Sequence, residues 1–312
     1  MVCQDPDLIW PKRAKVALSY KHIIEGYVKD FAPYSDYNFL SLWTYDTNDA
    51  WEFSFLNDNL VIKFTDYIDG KPFYSFLGKN RLIDTINILI ESAKTENLPN
   101  ELRLIPEEVV DGENRNIIEN TGYSVVEDTN NADYIFSLQT LSELKGGDFM
   151  GERNHIRKFE KTVPGACFKD VDINDAETRT EVVDLFMTWA HNKGDSFDNK
   201  EIEFTAVNRL LDNYKQFKAV VLGMYDQNKL IGYIISEPLE NEYVMAAFTK
   251  ADNNYKGIFQ ILEKKRAEYF YNKGYKFLNM EQDLGIPGLK RAKMGWHPVR
   301  YLKKYTIESK KV

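Results

Sequence analysis

The chain has 312 residues, 43% of them hydrophobic and 14% aromatic, which is enough apolar material for a packed core and excludes a disordered polypeptide. Its net charge of −8 is unevenly spread: Lys290 to Val312 holds eight Lys/Arg against one Glu, Lys145 to Lys161 holds five against three acids, and the remainder carries −17. That balance argues against broad, non-specific binding to nucleic acid or an anionic membrane, while a local anion site survives it.

No run approaches the ~20 consecutive apolar residues that span a bilayer, and the N-terminus lacks a secretory pattern. Cys3 and Cys167 form neither a disulfide framework nor a zinc pattern, so a cytoplasmic setting is expected. The histidines show no metal-ligand spacing, and no metal is predicted.

In chain order, WEFSFL (51–56), LVIKFTD (60–66) and PFYSFLG (72–78) are β-branched and aromatic runs separated by the turns NDN and YIDGK, an antiparallel meander. RLIDTINILIESAKTEN (81–97) follows as a helix with Leu82, Ile86, Leu89 and Ile90 on one face. LRLI (102–105) is a strand, PEEVVDGENRNIIENTG (106–122) a helix ending at Gly122, and YSVVED (123–128) and DYIFSL (133–138) are strands. LKGGDFMGERNHIRKFEK (144–161) predicts a joining helix anchored by Ile156 and Phe159, with Arg153, Asn154, Arg157 and Lys158 off the core.

CFKDVDI (167–173) opens a second series as a strand. KAVVLGMY (218–225), LIGYIISE (230–237) and EYVMAAFT (242–249) form a second meander. YKGIFQILEKKRAEYFYNKG (255–274) is a helix with Ile258, Ile261, Leu262 and Tyr269 on one face, and Lys273-Gly274 is its stop. YKFLNM (275–280) is a strand, IPGLKRAKMG (286–295) a short helix with Pro at its start and Gly295 at its end, and VRYLKKYTIE (299–308) a closing strand.

The same order occurs twice, with low residue identity between the halves. The expected fold is α/β (α+β), two tandem repeats, each a mixed, mainly antiparallel sheet flanked by helices. The expected division is an N-terminal repeat over 1–143, a connecting basic helix over 144–165, and a C-terminal repeat over 166–312 carrying the donor site. A generic α+β protein with two similar layers is the plainer alternative. Meander, helix, strand, helix, strand is also the order of the GNAT acyltransferase fold.

Three stretches narrow this further. RNHIRKFEK (153–161), FTKADNNYKGIFQ (248–260) and NMEQDLGIPGLKRAKMGWHP (279–298) together resemble the phosphatidylglycerol lysyltransferase C-terminal-domain family, from about Pro33 onward. The resemblance implies a tandem GNAT fold. It also implies kinship with enzymes that move an aminoacyl group from aminoacyl-tRNA to a membrane lipid. The sequence has no membrane-spanning half and is similar to the soluble, stand-alone members.

Acyl transfer requires deprotonation of the acceptor, stabilisation of an oxyanion and a donor held in line. In a GNAT enzyme the donor pyrophosphate rests on N–H groups where a strand runs into a helix. Here that position is Asn253–Ile258, so the cofactor-binding candidates are Phe248, Thr249, Asn254, Tyr255, Lys256, Gly257 and Ile258. An ordinary helix start capped by Asn253 or Asn254 is the alternative. The equivalent point in the first half, Leu77–Arg81, is weaker, and no donor site is expected there.

Glu281 and Asp283, just past a strand, are candidates for the base or for orienting an acceptor ammonium. Capping by Asp283, or an ion pair with Arg291 or Lys293, is the structural alternative. His297 has the right titration range for acid–base work; His22, His155 and His191 read as structural. Arg153, Asn154, Arg291, Lys293 and Lys304 are candidates for substrate contacts, with Lys303 beside them. The expected activity is transfer from acyl-CoA, or from aminoacyl-tRNA, to an amine or hydroxyl of a small-molecule or peptide acceptor. The −17 outside the basic segments favours a CoA-type donor over a whole tRNA. A non-catalytic ligand-binding protein that kept the fold is the alternative.

Overall fold

The computed structural model describes residues 5–66, 68–193 and 200–310, so Cys3 lies outside the described residues. The chain forms two compact units. One comprises 1–133, 282–289 and 301–312; the other comprises 134–281 and 290–300.

The first unit begins with β1 (Ala14–Lys15), α1 (Lys21–Val28) and α2 (Phe39–Tyr45). The meander β2 (Glu52–Leu56), β3 (Asn59–Thr65) and β4 (Pro72–Leu77) follows, antiparallel throughout. Its first turn places Asn57 and Asp58 at φ 52° and 61°, the left-handed pair that a tight hairpin needs and that Asn and Asp tolerate. α3 (Leu82–Thr95) buries Leu82, Ile86, Leu89 and Ile90, the predicted face, and leads to β5 (Glu101–Pro106). The stretch read as one helix is two, α4 (Glu107–Val110) and α5 (Glu113–Asn120), because Gly112 at φ 62° interrupts it. β6 (Tyr123–Glu127) completes this run.

Next come β7 (Asp133–Ser137), α6 (Leu138–Glu143), the basic helix α7 (Met150–Thr162) and β8 (Cys167–Asp170), where Cys167 is exposed. Two helices that the sequence reading passed over follow: α8 (Ala176–Lys193) and α9 (Lys200–Asp212). Both carry an apolar stripe, Val182, Leu185, Phe186 and Trp189 on the first, Ala206, Val207, Leu210 and Leu211 on the second. The second meander is β9 (Val220–Asp226), β10 (Lys229–Pro238) and β11 (Tyr243–Ala251), with Gln227 and Asn228 again left-handed at its first turn. α10 (Ile258–Tyr271), β12 (Phe277–Asn279) and α11 (Pro287–Met294) follow. The predicted closing strand is split into β13 (Arg300–Leu302) and β14 (Lys304–Ser309).

The two sheets have seven strands each, in the orders β1-β2-β3-β4-β5-β14-β6 and β13-β7-β12-β11-β10-β9-β8. Each is an antiparallel meander followed by one parallel step, β4 to β5 and β11 to β12. The fold is therefore the expected α/β tandem of GNAT-like sheets flanked by helices. The last strands, however, lie in the opposite sheets: β14 joins β5 and β6, while β7 joins β12. β7 is a continuous buried run and β14 a partly buried strand, and neither pattern specifies the partner. Among the described residues, no helix is long and apolar enough to cross a membrane.

Candidate functional site

β11 and β12 pair only at Tyr243–Phe277, Val244–Leu278 and Met245–Asn279. β12 ends there, while β11 continues to Ala251, past a register shift in its pairing with β10 opposite Ile235 and Ser236. A strand that outruns its parallel neighbour leaves backbone N–H and C=O groups able to pair with an extended ligand. Phe248 and Thr249, predicted as ligand contacts, lie on this stretch.

The turn from β11 into α10 is less open than predicted. The buried Asp252 carboxylate accepts from the Asn254 backbone N–H at 3.0 Å and Nδ2 at 2.8 Å, and from Asn192 Nδ2 at 3.2 Å. The Tyr255 N–H goes to the Asp252 carbonyl and the Ile258 N–H to the Tyr255 carbonyl, at 3.1 Å each. The N–H groups of Asn254, Tyr255 and Ile258 are therefore satisfied within the turn, and a carboxylate stands where an anion was expected. Tyr255 Oη reaches Asp226 at 3.3 Å, Ile258 is core, and the Lys256 side chain is exposed.

Gly257 has a different reason to be glycine. It sits at φ 90°, and a Cβ there would meet the His155 carbonyl oxygen of α7 at 2.2 Å. α7, with Ile156 and Phe159 buried, packs onto the start of α10 at this point. Gly257→Ala is expected to cost about 2–4 kcal/mol, from left-handed strain plus overpacking against backbone. Urea unfolding of the purified variant measures it.

Charged residues gather on β11 and its neighbours. Lys250 is 4% exposed; its ammonium pairs with Glu203 of α9 and lies 4.0 Å from the Trp189 ring centroid. Burial holds its pKa below the ordinary lysine value, against the opposing pull of Glu203. On α10, Arg266 is 1% exposed, binds Glu263 at 2.9 Å and the Thr249 hydroxyl, and contacts the Phe248 carbonyl at 3.4 Å. Burial lowers its pKa, while Glu263 and then Glu281 oppose that shift. Glu281 is thus within electrostatic reach of both Arg266 and Lys250. It is half-buried just past β12, at φ 59°, a conformation unusual for a non-glycine residue and often found at functional sites. Lys293 of α11 donates to the Met280 carbonyl directly before it.

The remaining candidates are placed elsewhere. Asp283 is buried in the first unit, where its Oδ1 accepts from the Gly285 N–H at 2.8 Å in the turn before α11. His297 is exposed and set edge-on against Phe149, centroids 5.1 Å apart. Arg153 donates to the carbonyls of Leu144 and Gly146, tying down the loop before α7; Asn154 and Arg291 are exposed. Lys304 is 0% exposed in the first unit, its ammonium paired with Asp36 and with Asp133 at 2.7 Å. Two buried carboxylates occupy its ammonium, which corrects its reading as a substrate contact. Lys250, Arg266, Glu263 and Glu203 were missed. Signals existed for two of them: a lysine inside an apolar strand, and an arginine at four-residue spacing from Ile258, Leu262 and Phe270.

In the first unit, Ser75 Oγ of β4 donates to the Leu104 carbonyl of β5 at 3.2 Å, with Tyr37 Oη 2.7 Å from Ser75 Oγ. These bonds bridge the parallel step. At the start of α3, Asn59 accepts from the Asn80 N–H at 3.0 Å and donates to its carbonyl at 2.7 Å. Beside it lies a cavity of 510 Å³ lined by Ile9, Phe55, Asn57, Asp58, Asn80 and Arg81. Among the described residues, no three His, Cys, Asp or Glu side chains are grouped to hold a metal ion.

The chain is similar to a conserved protein of unknown function from Bacteroides thetaiotaomicron, with 24% identity, TM-score 0.80, and 95% of this chain and 98% of that one covered. It is also similar to the C-terminal domain of a lysylphosphatidylglycerol synthetase described as putative from Agrobacterium fabrum, with 12% identity, TM-score 0.63, and 95% and 92% covered. L-PGS from Bacillus licheniformis gives 15% identity, TM-score 0.60, and 93% and 91% covered. No curated protein matches the sequence. The model of the phosphatidylglycerol lysyltransferase C-terminal family matches residues 29–308, and the chain belongs to that family.

Proposed function

We propose that the chain is an aminoacyl transferase that takes its acyl group from an ester donor, an aminoacyl-tRNA, and passes it to a hydroxyl or amine acceptor. One contrast carries the reading: β11 outruns β12 beside Glu281, while in the turn at Asn253–Ile258 the N–H groups of Asn254, Tyr255 and Ile258 go to Asp252 and to the Tyr255 carbonyl. The first feature suits an acyl group in extended contact with a strand edge. The second disfavours the pyrophosphate that an acyl-CoA brings. An aminoacyl ester carries no pyrophosphate, and its α-ammonium suits the carboxylate of Glu281.

In this mechanism the β11 edge aligns the donor and Glu281 orients the ammonium. Lys250 and Arg266 balance that carboxylate from within the unit. The charge objection to tRNA is met if contact is confined to its acceptor end; Lys290, Arg291 and Arg300 are exposed in a segment of net positive charge.

Thermal unfolding at fixed salt with lysyl-tRNA, uncharged tRNA, CoA and acetyl-CoA tests the donor. A ligand at 100 times its Kd adds about 2.7 kcal/mol, and the expected shift is with lysyl-tRNA above uncharged tRNA. Glu281→Gln is expected to lower kcat/KM for lysyl transfer about 10- to 100-fold, the loss of one charged hydrogen bond. A shift with CoA that Lys256→Glu abolishes would replace this reading with the acyl-CoA one. No shift with any donor would leave the ligand-binding alternative.

A further inference from the structure

Tyr233 of β10 and Lys250 of β11 are direct cross-strand partners. Thr249, one residue away, bonds to Glu263 and Arg266 of α10, so alternation sends Lys250 and Tyr233 to the opposite face of the sheet. There α8 contributes Trp189 and Phe186, with ring centroids 4.0 and 5.7 Å from Lys250 Nζ, and α9 contributes Glu203. The Tyr233 hydroxyl is fully buried, within electrostatic reach of Glu203, and has no hydrogen-bond partner among the described residues. The ion pair is lopsided: the Lys250 side chain is 5% exposed and that of Glu203 is 18%. The carboxylate is the outward member, and the ammonium and the aromatic rings lie behind it.

We infer that Glu203 is the proton acceptor for the incoming nucleophile, with Lys250 as its positioning residue and the Tyr233 hydroxyl as a further polar contact for the acceptor. The inference rests on the transferase reading and names its acceptor side. A buried hydroxyl left without a partner costs about 1–3 kcal/mol, and an acceptor hydroxyl or amine bound beside Glu203 supplies that partner. In the step, the acceptor's lone pair forms a bond to the acyl carbon and its proton passes to the Glu203 carboxylate. When the tetrahedral intermediate collapses, the bond from the acyl carbon to the donor oxygen breaks, and Glu203 returns the proton to the departing oxygen. Protons balance, and no other reactant is needed. The charged groups that act on Lys250 are Glu203 of α9, Lys193 of α8 and Glu281 past β12.

The test uses the full chain with lysyl-tRNA as donor, and phosphatidylglycerol in mixed micelles or a lysine-containing peptide as acceptor. Glu203→Gln is expected to lower kcat about 100- to 1,000-fold, with the thermal shift produced by lysyl-tRNA retained. Lys250→Met is expected to lower kcat about 10-fold with KM for the donor unchanged, and Lys250→Arg, which keeps a cation beside Glu203, is expected to restore most of it. A folded Glu203→Gln variant with wild-type kcat, or a Lys250→Met variant with wild-type kcat, overturns the inference alone and makes the cluster a buried ion pair. Failure of the wild-type chain to transfer from lysyl-tRNA to either acceptor overturns the transferase reading together with the inference.

Discussion

Replacing Lys304 by methionine is expected to lower the unfolding free energy by about 3–5 kcal/mol, because it strands two carboxylates in the core. Lys304 is 0% exposed and pairs with Asp36 and Asp133. Asp133 also accepts from the Ser35 N–H and hydroxyl, each at 2.7 Å, and the Ser35 hydroxyl is 2.7 Å from Gln282 Oε1. One cation thus holds together β14, the start of β7 and the segment before α2. Asp36→Asn should cost less than Asp133→Asn, since among the described residues the Asp36 oxygens accept no hydrogen bond beyond the ion pair.

The pH dependence separates the members of this cluster. Burial opposes the charge on Lys304, but Asp133 and Asp36 outweigh it and raise the folded pKa. Its contribution is therefore fully present below the unfolded lysine value of about 10.4 and is lost as pH rises through the higher folded value. Asp36 is raised as well, by burial first and by Asp133, against the pull of Lys304. A carboxylate raised on folding binds its proton more tightly in the folded chain. Its contribution falls as pH climbs from about 3.9 towards the folded value. Asp36→Asn should remove that decline, and Lys304→Met should remove the alkaline loss. Urea titrations across pH read both.

Arg266→Met is the matching experiment in the second unit, with an expected loss of about 3–5 kcal/mol. The guanidinium is 1% exposed and serves Glu263, Thr249 and the Phe248 carbonyl, so its removal leaves a buried carboxylate without its cation beside the part of β11 that outruns β12. The double variant Arg266→Met/Glu263→Gln should recover much of the stability, because it removes the stranded charge along with its partner. If the single variant unfolds at wild-type urea concentration, the guanidinium does not hold this part of the fold.

Particular elements show what was legible beforehand. Both meanders, α3, α10, α11 and the anchoring of α7 by Ile156 and Phe159 follow from periodicity and turn residues, and the structure has each of them. Those signals are local: an apolar face repeats every turn, and Asn-Asp or Gln-Asn fits a tight hairpin wherever it sits. The stripes of α8 and α9 were equally local, and overlooking those helices also hid Trp189 and Glu203.

The sequence by itself determined both meanders, the helix that follows each and, through NMEQDLGIPGLKRAKMGWHP, the family. Tertiary structure alone decided that β14 pairs with β5 and β6 while β7 pairs with β12, since one edge-compatible strand resembles another until its neighbours are known. It also decided that Lys304 is buried, and that Gly257 makes room for the His155 carbonyl. The physical reason is common to all three. The role of a charge or a glycine depends on what lies across from it, and residues 100 or more positions away supply that.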